Sequence, residues 1–164
     1  MATLLAKVDT ERLFEQKTRI KRIKSLQAQI ATIEADLKKP HSVKLSDMPK
    51  TQNPFDKMTY LLSKKMDLEN ELNRHIKIFR TENLVLREII NRMSNISSSQ
   101  AGQPISVFQD VLIYRFLEDY SMQETNQRLH SNNDDFEEKE ESYLRNLYEW
   151  QRKALRLFIK CQDN

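Results

Sequence analysis

Apolar residues in the middle of the chain recur at steps of three and four. Met58, Leu72, Phe79, Leu86 and Met93 share one seven-residue register, broken only by Lys65. Leu61, Leu68 and Ile89 follow that register three residues on, and Leu62, Ile76 and Ile90 widen the stripe. Such spacing places side chains on one helix face. With no Pro or Gly to interrupt it, a helix is predicted from about Phe55 to Met93, roughly 60 Å long at 1.5 Å per residue. Upstream, Ile23, Leu26, Ile30, Ile33 and Leu37 step in the coiled-coil alternation. Leu13 and Ile20 extend that face, Asp9 or Thr10 is the expected cap of a helix starting near Glu11, and Pro40 ends it. Residues 1–9 read as a lead-in.

Pro40, Pro49 and Pro54, with Ser42, Ser46, Asp47 and Asn53, break both periodicities and mark a linker at 40–54. That length allows the first helix to fold back along the long one as an antiparallel pair, with Leu37 near Met58. The apolar C-terminal end of the long helix, Leu84 to Met93, then needs cover from the rest of the chain or from a second copy. Lys65, His75 and Glu82 interrupt the stripe and are expected to set register.

A second break runs from Ser94 to Pro104, with Ser97, Ser98, Ser99 and the sole glycine, Gly102. Beyond it, Val107, Phe108, Val111, Leu112, Tyr114, Phe116 and Leu117 predict a strongly apolar helix. Ser121 is the expected N-cap of a short helix, Met122 to Leu129, with Glu124 completing a capping box. Residues 131–135 read as a turn, followed by the acidic run Glu137, Glu138, Glu140 and Glu141. A last helix is expected over about Glu141–Lys160, with Leu144, Leu147, Trp150 or Gln151, Ala154, Leu155 and Phe158 facing inward. Arg152, Lys153, Arg156 and Lys160 suit the negative end of its dipole. The expected fold is therefore all-α. Residues 1–96 form a coiled-coil-like hairpin (helices about 11–39 and 55–94), 97–104 a linker, and 105–164 a small helix-turn-helix-like bundle.

Composition agrees. One glycine and four prolines in 164 residues, with 31% charged residues, belong to a mostly helical chain rather than a β fold. The net charge of +3 hides an asymmetry. Residues 1–104 carry 19 Lys and Arg against 12 Asp and Glu, whereas residues 105–164 carry 8 against 12. Lys17, Arg19, Lys21, Arg22 and Lys24 form a basic patch that reads either as a phosphate contact or as a solvated helix surface. A single cysteine, Cys161, excludes an intramolecular disulfide and a cysteine metal cluster. It fits a cytoplasmic chain, as does the absence of signal-peptide order in the first residues. No apolar run approaches the roughly 20 residues of a membrane span. His41, His75 and His130 are scattered, and there is no glycine-rich phosphate loop or nucleophile elbow. No catalytic residue, metal site or cofactor is expected.

The segment Val111–Leu129, in which an apolar run ends in Arg115-Phe116 and is followed by a polar turn and a short helix, resembles the start of the DNA-binding region 4 of sigma factors. The chain as a whole resembles the small phage-encoded, sigma-like transcription regulators of the ArpU/RinA type, most closely over about 105–160. The resemblance implies a bacterial host cytoplasm, promoter DNA as partner, and a recognition helix within Tyr143–Leu155. Tyr143, Arg145 and Asn146 would then approach base edges, and Arg152 and Lys153 would touch phosphates. RNA polymerase or a second copy of the chain are further expected partners. The sequence departs from the family pattern at 130–141, where about eight extra acidic-rich residues stand between the two helices. That stretch either points away from DNA, holds a protein partner through Glu137, Glu138, Glu140 and Glu141, or marks a loss of DNA binding. The alternative function is thus a phage-encoded protein-binding module or inhibitor of a host protein.

Overall fold

The computed structural model describes residues 2–39, 54–96 and 102–161, with side chains from residue 10, 57 and 102 onward in the three segments. The described residues are all-α. Helix α1 covers Ala2–Lys38, α2 Pro54–Arg92, α3 Ile105–Leu112, α4 Met122–His130 and α5 Phe136–Lys160. A 3-10 turn, Met93–Asn95, closes α2, and α3 widens into a π turn at Ile113–Leu117. Helix α1 begins at Ala2, earlier than the expected cap at Asp9 or Thr10, because nothing in the opening residues breaks a helix. Helix α2 opens with Pro54 at its first position, where the missing N–H costs no hydrogen bond. Linker residues 40–53 and 97–101 lie outside the described residues.

The chain divides into two compact units, residues 1–20 with 79–164, and residues 21–78. This division differs from the break expected at 97–104. The ends of α1 and α2 share a core with the C-terminal helices, so their residues belong to that unit.

In the 21–78 unit, Leu26, Ile30 and Ile33 are buried on α1, while Leu61, Leu68, Leu72 and Ile76 of α2 are half-buried. Arg22 pairs with Glu71 at 2.7 Å, and Lys65 with Glu34 at 2.8 Å. The pairing numbers rise on one helix as they fall on the other, which is an antiparallel register. Lys65, which interrupts the apolar stripe, reaches across to the other helix. The Glu34 carboxyl is held below its ordinary range by the hydrogen bond and charge of Lys65. His75 lies 3.6 Å from the same Glu71 that Arg22 holds. Met58, Leu62 and Met66 remain exposed.

In the larger unit, Arg12 pairs with Glu82 at 2.8 Å, and the buried Gln16 donates to the Phe79 carbonyl at 2.9 Å. Leu13 of α1 and Leu86, Ile90 and Met93 of the α2 end join Ile105, Phe108, Leu112, Phe116, Leu117, Ala154, Leu157 and Phe158 in one core. The apolar end of α2 is thus covered within the chain, although Leu84 stays exposed. Gln109 fastens α3 to that end by donating to the Ile90 carbonyl at 2.8 Å and to Ser94 Oγ at 3.0 Å. A second cluster, Val111, Met122 and Leu147 with Leu129, Leu144 and Trp150, packs α4 against α3 and α5.

The capping box of α4 is formed. Ser121 Oγ accepts from the Glu124 N–H at 3.1 Å, and Glu124 Oε2 accepts from the Ser121 N–H at 2.6 Å. The π turn is drawn closed by the Glu118 N–H on the Ile113 carbonyl at 3.0 Å, and Asp119 takes a left-handed φ of 58° to leave it. Asp tolerates that conformation better than most side chains do.

Candidate nucleic-acid interface

Helix α5 starts at Phe136, not near Glu141. Only residues 131–135 separate it from α4, so the acidic insertion expected at 130–141 is mostly helix. The reason is electrostatic. Glu137 and Glu138 sit in the first turn, where carboxylates favour the positive end of the helix dipole. Glu137, Glu138, Glu140 and Glu141 are all exposed.

The earlier start also changes what Tyr143 can do. It lies two turns into α5, its ring stacks on His130 with centroids 4.2 Å apart, and its hydroxyl donates to Asp135 Oδ1 at 2.8 Å. Asp135 is further held by Lys139 at 2.6 Å. The Asp135 carboxyl is pulled below its ordinary range, first by Lys139 and then by Tyr143, and its bond in turn raises the Tyr143 phenol. Tyr143 is therefore a clamp between the 131–135 turn and α5, and not one of the outward base-contacting side chains expected from the sequence.

The other expected contacts do come together. At 3.6 residues per turn, residues 142, 145, 146, 149, 152, 153, 156 and 160 fall within an arc of roughly 120° on α5. Arg145, Asn146, Glu149, Arg152, Arg156 and Lys160 on that arc are exposed, and Lys153 is half-buried. The side chains of Arg145, Asn146, Arg152 and Arg156 make no hydrogen bond or ion pair among the described residues. Lys153 behaves differently. Its ammonium lies 5.8 Å from the centroid of the Phe108 ring, a cation–π distance. The helix dipole accounts for cations at this end of α5, and the four-residue spacing of Arg156 and Lys160 from Arg152 is the signal that they share its face.

The basic patch near the start of α1 is largely taken up by structure. In the larger unit, Lys17 lies 3.9 Å from Asp119 and 5.9 Å from the Phe116 ring centroid, and Arg19 donates to Gln16 at 2.9 Å. In the 21–78 unit, Arg22 is committed to Glu71, while Lys21 and Lys24 are exposed. Arg115, the arginine of the arginine–aromatic pair, is also internal. It donates to Gln151 Oε1 at 3.0 Å and to the Tyr120 carbonyl, fastening the π turn to α5.

No group of three His, Cys, Asp or Glu side chains among the described residues is placed to hold a metal. Burial pushes the Cys161 thiol up, away from nucleophilic use. Among the described residues no helix is long and apolar enough to cross a membrane.

His130 gives this region a pH dependence. It is 8% exposed, and burial lowers its pKa from the ordinary 6.5, opposed by the charge of Asp135. Its Nδ1 meets the Asn133 amide at 3.2 Å, and its Nε2 has no partner among the described residues. Well above pH 6.5 both folded and unfolded chains hold a neutral imidazole, and the unit keeps its full stability. As pH falls, the unfolded chain takes up the proton first, so stability declines until the folded pKa is passed. The Asp135 contribution is lost only in a lower window, beneath the ordinary carboxylate range. Urea unfolding followed by Trp150 fluorescence from about pH 8 to about pH 5 is expected to show this decline, and His130→Gln is expected to remove it.

Compared with family models, curated proteins and solved structures, the chain gives no match.

Proposed function

We propose that this chain is a DNA-binding transcription regulator of phage or prophage origin, and that the exposed stripe of α5 is its contact surface. The observation that carries the reading is the convergence of Arg145, Asn146, Arg152 and Arg156 on one solvent-facing arc without ion-pair partners among the described residues. Structural arginines on a helical surface are commonly paired, as Arg12 and Arg22 are here. Arginine and asparagine side by side at 145 and 146 suit bidentate contacts with guanine and adenine. The resemblance of 105–160 to sigma-region-4-like regulators supports promoter DNA as the target.

The test is selection from a random duplex pool followed by anisotropy on the selected and scrambled duplexes. Arg145→Ala is expected to lower the preference for the selected duplex by about 5- to 150-fold, the worth of one bidentate base contact. Equal affinity for every duplex, in wild type and variant alike, would remove the reading.

A second reading rests on the exposed acidic turns at the start of α5. Glu137, Glu138, Glu140 and Glu141 present four carboxylates to solvent without side-chain partners among the described residues. They suit a basic protein surface, and RNA polymerase is the partner to probe. In this reading the chain is a protein-binding module that acts without DNA contacts, and replacing all four with Gln abolishes retention of purified polymerase and leaves the fold intact.

A further inference from the structure

We infer that Arg152, Arg156 and Lys160 form a track for the phosphate backbone of duplex DNA, separate from the base-contacting pair Arg145 and Asn146. The inference rests on the DNA reading above and assigns roles within that surface. The three cations repeat at i, i+4 and i+8, a step of about 6 Å along the helix axis. They line a groove of about 570 Å³ with Glu149, Lys153 and Leu157. Lys153 belongs to the groove wall, because its ammonium is turned over the Phe108 ring.

Glu149 divides the stripe. A phosphate is repelled by a carboxylate, so a backbone lying in the groove begins beyond it, at Arg152. Arg145 and Asn146 stand on the other side of that carboxylate, one to two turns away. A guanidinium presents a planar fork of N–H donors that matches phosphate oxygens, and the exposed Arg152 and Arg156 can both donate to them. The lining includes no aromatic side chain among the described residues. Single-strand binders rely on aromatic platforms on which bases stack. A cationic groove without such a platform suits the outside of a duplex.

Anisotropy of the full chain on a labelled duplex, over salt from ~50 to ~200 mM, separates the roles. Each phosphate contact adds about 0.9 to the slope of log affinity against log salt. Arg152→Gln/Arg156→Gln is expected to lower the slope by about 1.8, so that the loss of affinity over this range shrinks about twelvefold, equally for every duplex. Arg145→Ala is expected instead to level the differences between duplexes and to keep most of the slope. Circular dichroism checks that each variant is folded. An unchanged slope in the double variant, with wild type binding, overturns the track and leaves the DNA reading standing. No binding by wild type at ~50 mM salt overturns both. Tighter binding to the single strand of the same sequence overturns the duplex assignment.

Discussion

Phe158→Ala is expected to cost the unit of residues 1–20 and 79–164 about 3–5 kcal/mol, the usual toll of emptying a buried aromatic site. Phe158 is fully buried and shares a core with Leu13, Leu86, Ile90 and Met93 from the long helices and with Ile105, Phe108 and Leu112 from α3. These partners come from three helices besides α5 itself, which cannot all move inward without disturbing one another. Trp150, the only tryptophan, packs against both cores of this unit, so its fluorescence in a denaturant titration reports the loss directly. A loss below about 1 kcal/mol would mean that the helix ends and the C-terminal helices do not share a core.

Arg115→Ala is expected to cost about 2–3 kcal/mol in the same titration. Hydrogen bonds to a charged group contribute about 1.5–3 kcal/mol, and a buried acceptor left without its donor adds to the loss. Arg115 is half-buried, and burial lowers its pKa. It bridges the Tyr120 carbonyl, just after the π turn, and Gln151 of α5. Arg115→Lys should recover only part of the loss, since an ammonium lacks the planar fork that serves both acceptors. If Arg115→Ala instead left stability unchanged and lowered DNA affinity, the arginine would be a contact residue and its internal role would be wrong.

Much of this architecture is legible in the residues because it follows from local rules. The three-and-four spacing of Leu26, Ile30 and Ile33 names the buried face of α1, and Ser121 with Glu124 names the start of α4. Lys65 and Glu82 look like defects in an apolar stripe, and both form ion pairs with the facing helix. What escaped depends on competition between signals. Four glutamates in five residues read as a solvated loop, yet the same carboxylates favour a helix start, and α5 begins earlier for that reason. That shift moves Tyr143 inward, where its partners Asp135 and His130 come from a turn and another helix, and no periodicity announces them. The two compact units were hidden for a similar reason. Leu13 and Leu86 lie far apart in sequence and on helices that appear continuous with the hairpin, but they share a core with Phe158. The π turn at Ile113–Leu117 widens the backbone by one residue without any change in composition to mark it.

The candidate interface was legible only in part. Arg145, Asn146 and Arg152 fall where the helical pattern puts them, on one exposed face. Lys153 lies on the same arc, but it is half-buried, and its ammonium is engaged over the Phe108 ring, a contact from another helix that no periodicity announces. Arg156 and Lys160 extend the face through the same four-residue repeat that holds the core together.

Amide chemical-shift mapping of the full chain, titrated with the selected duplex, tests the assignment of α5 as the DNA contact. Perturbations are expected on α5 at Arg145, Asn146, Arg152 and Arg156, fading as salt rises. Perturbations confined to Glu137–Glu141 or to residues 21–78, or none at all, would contradict it.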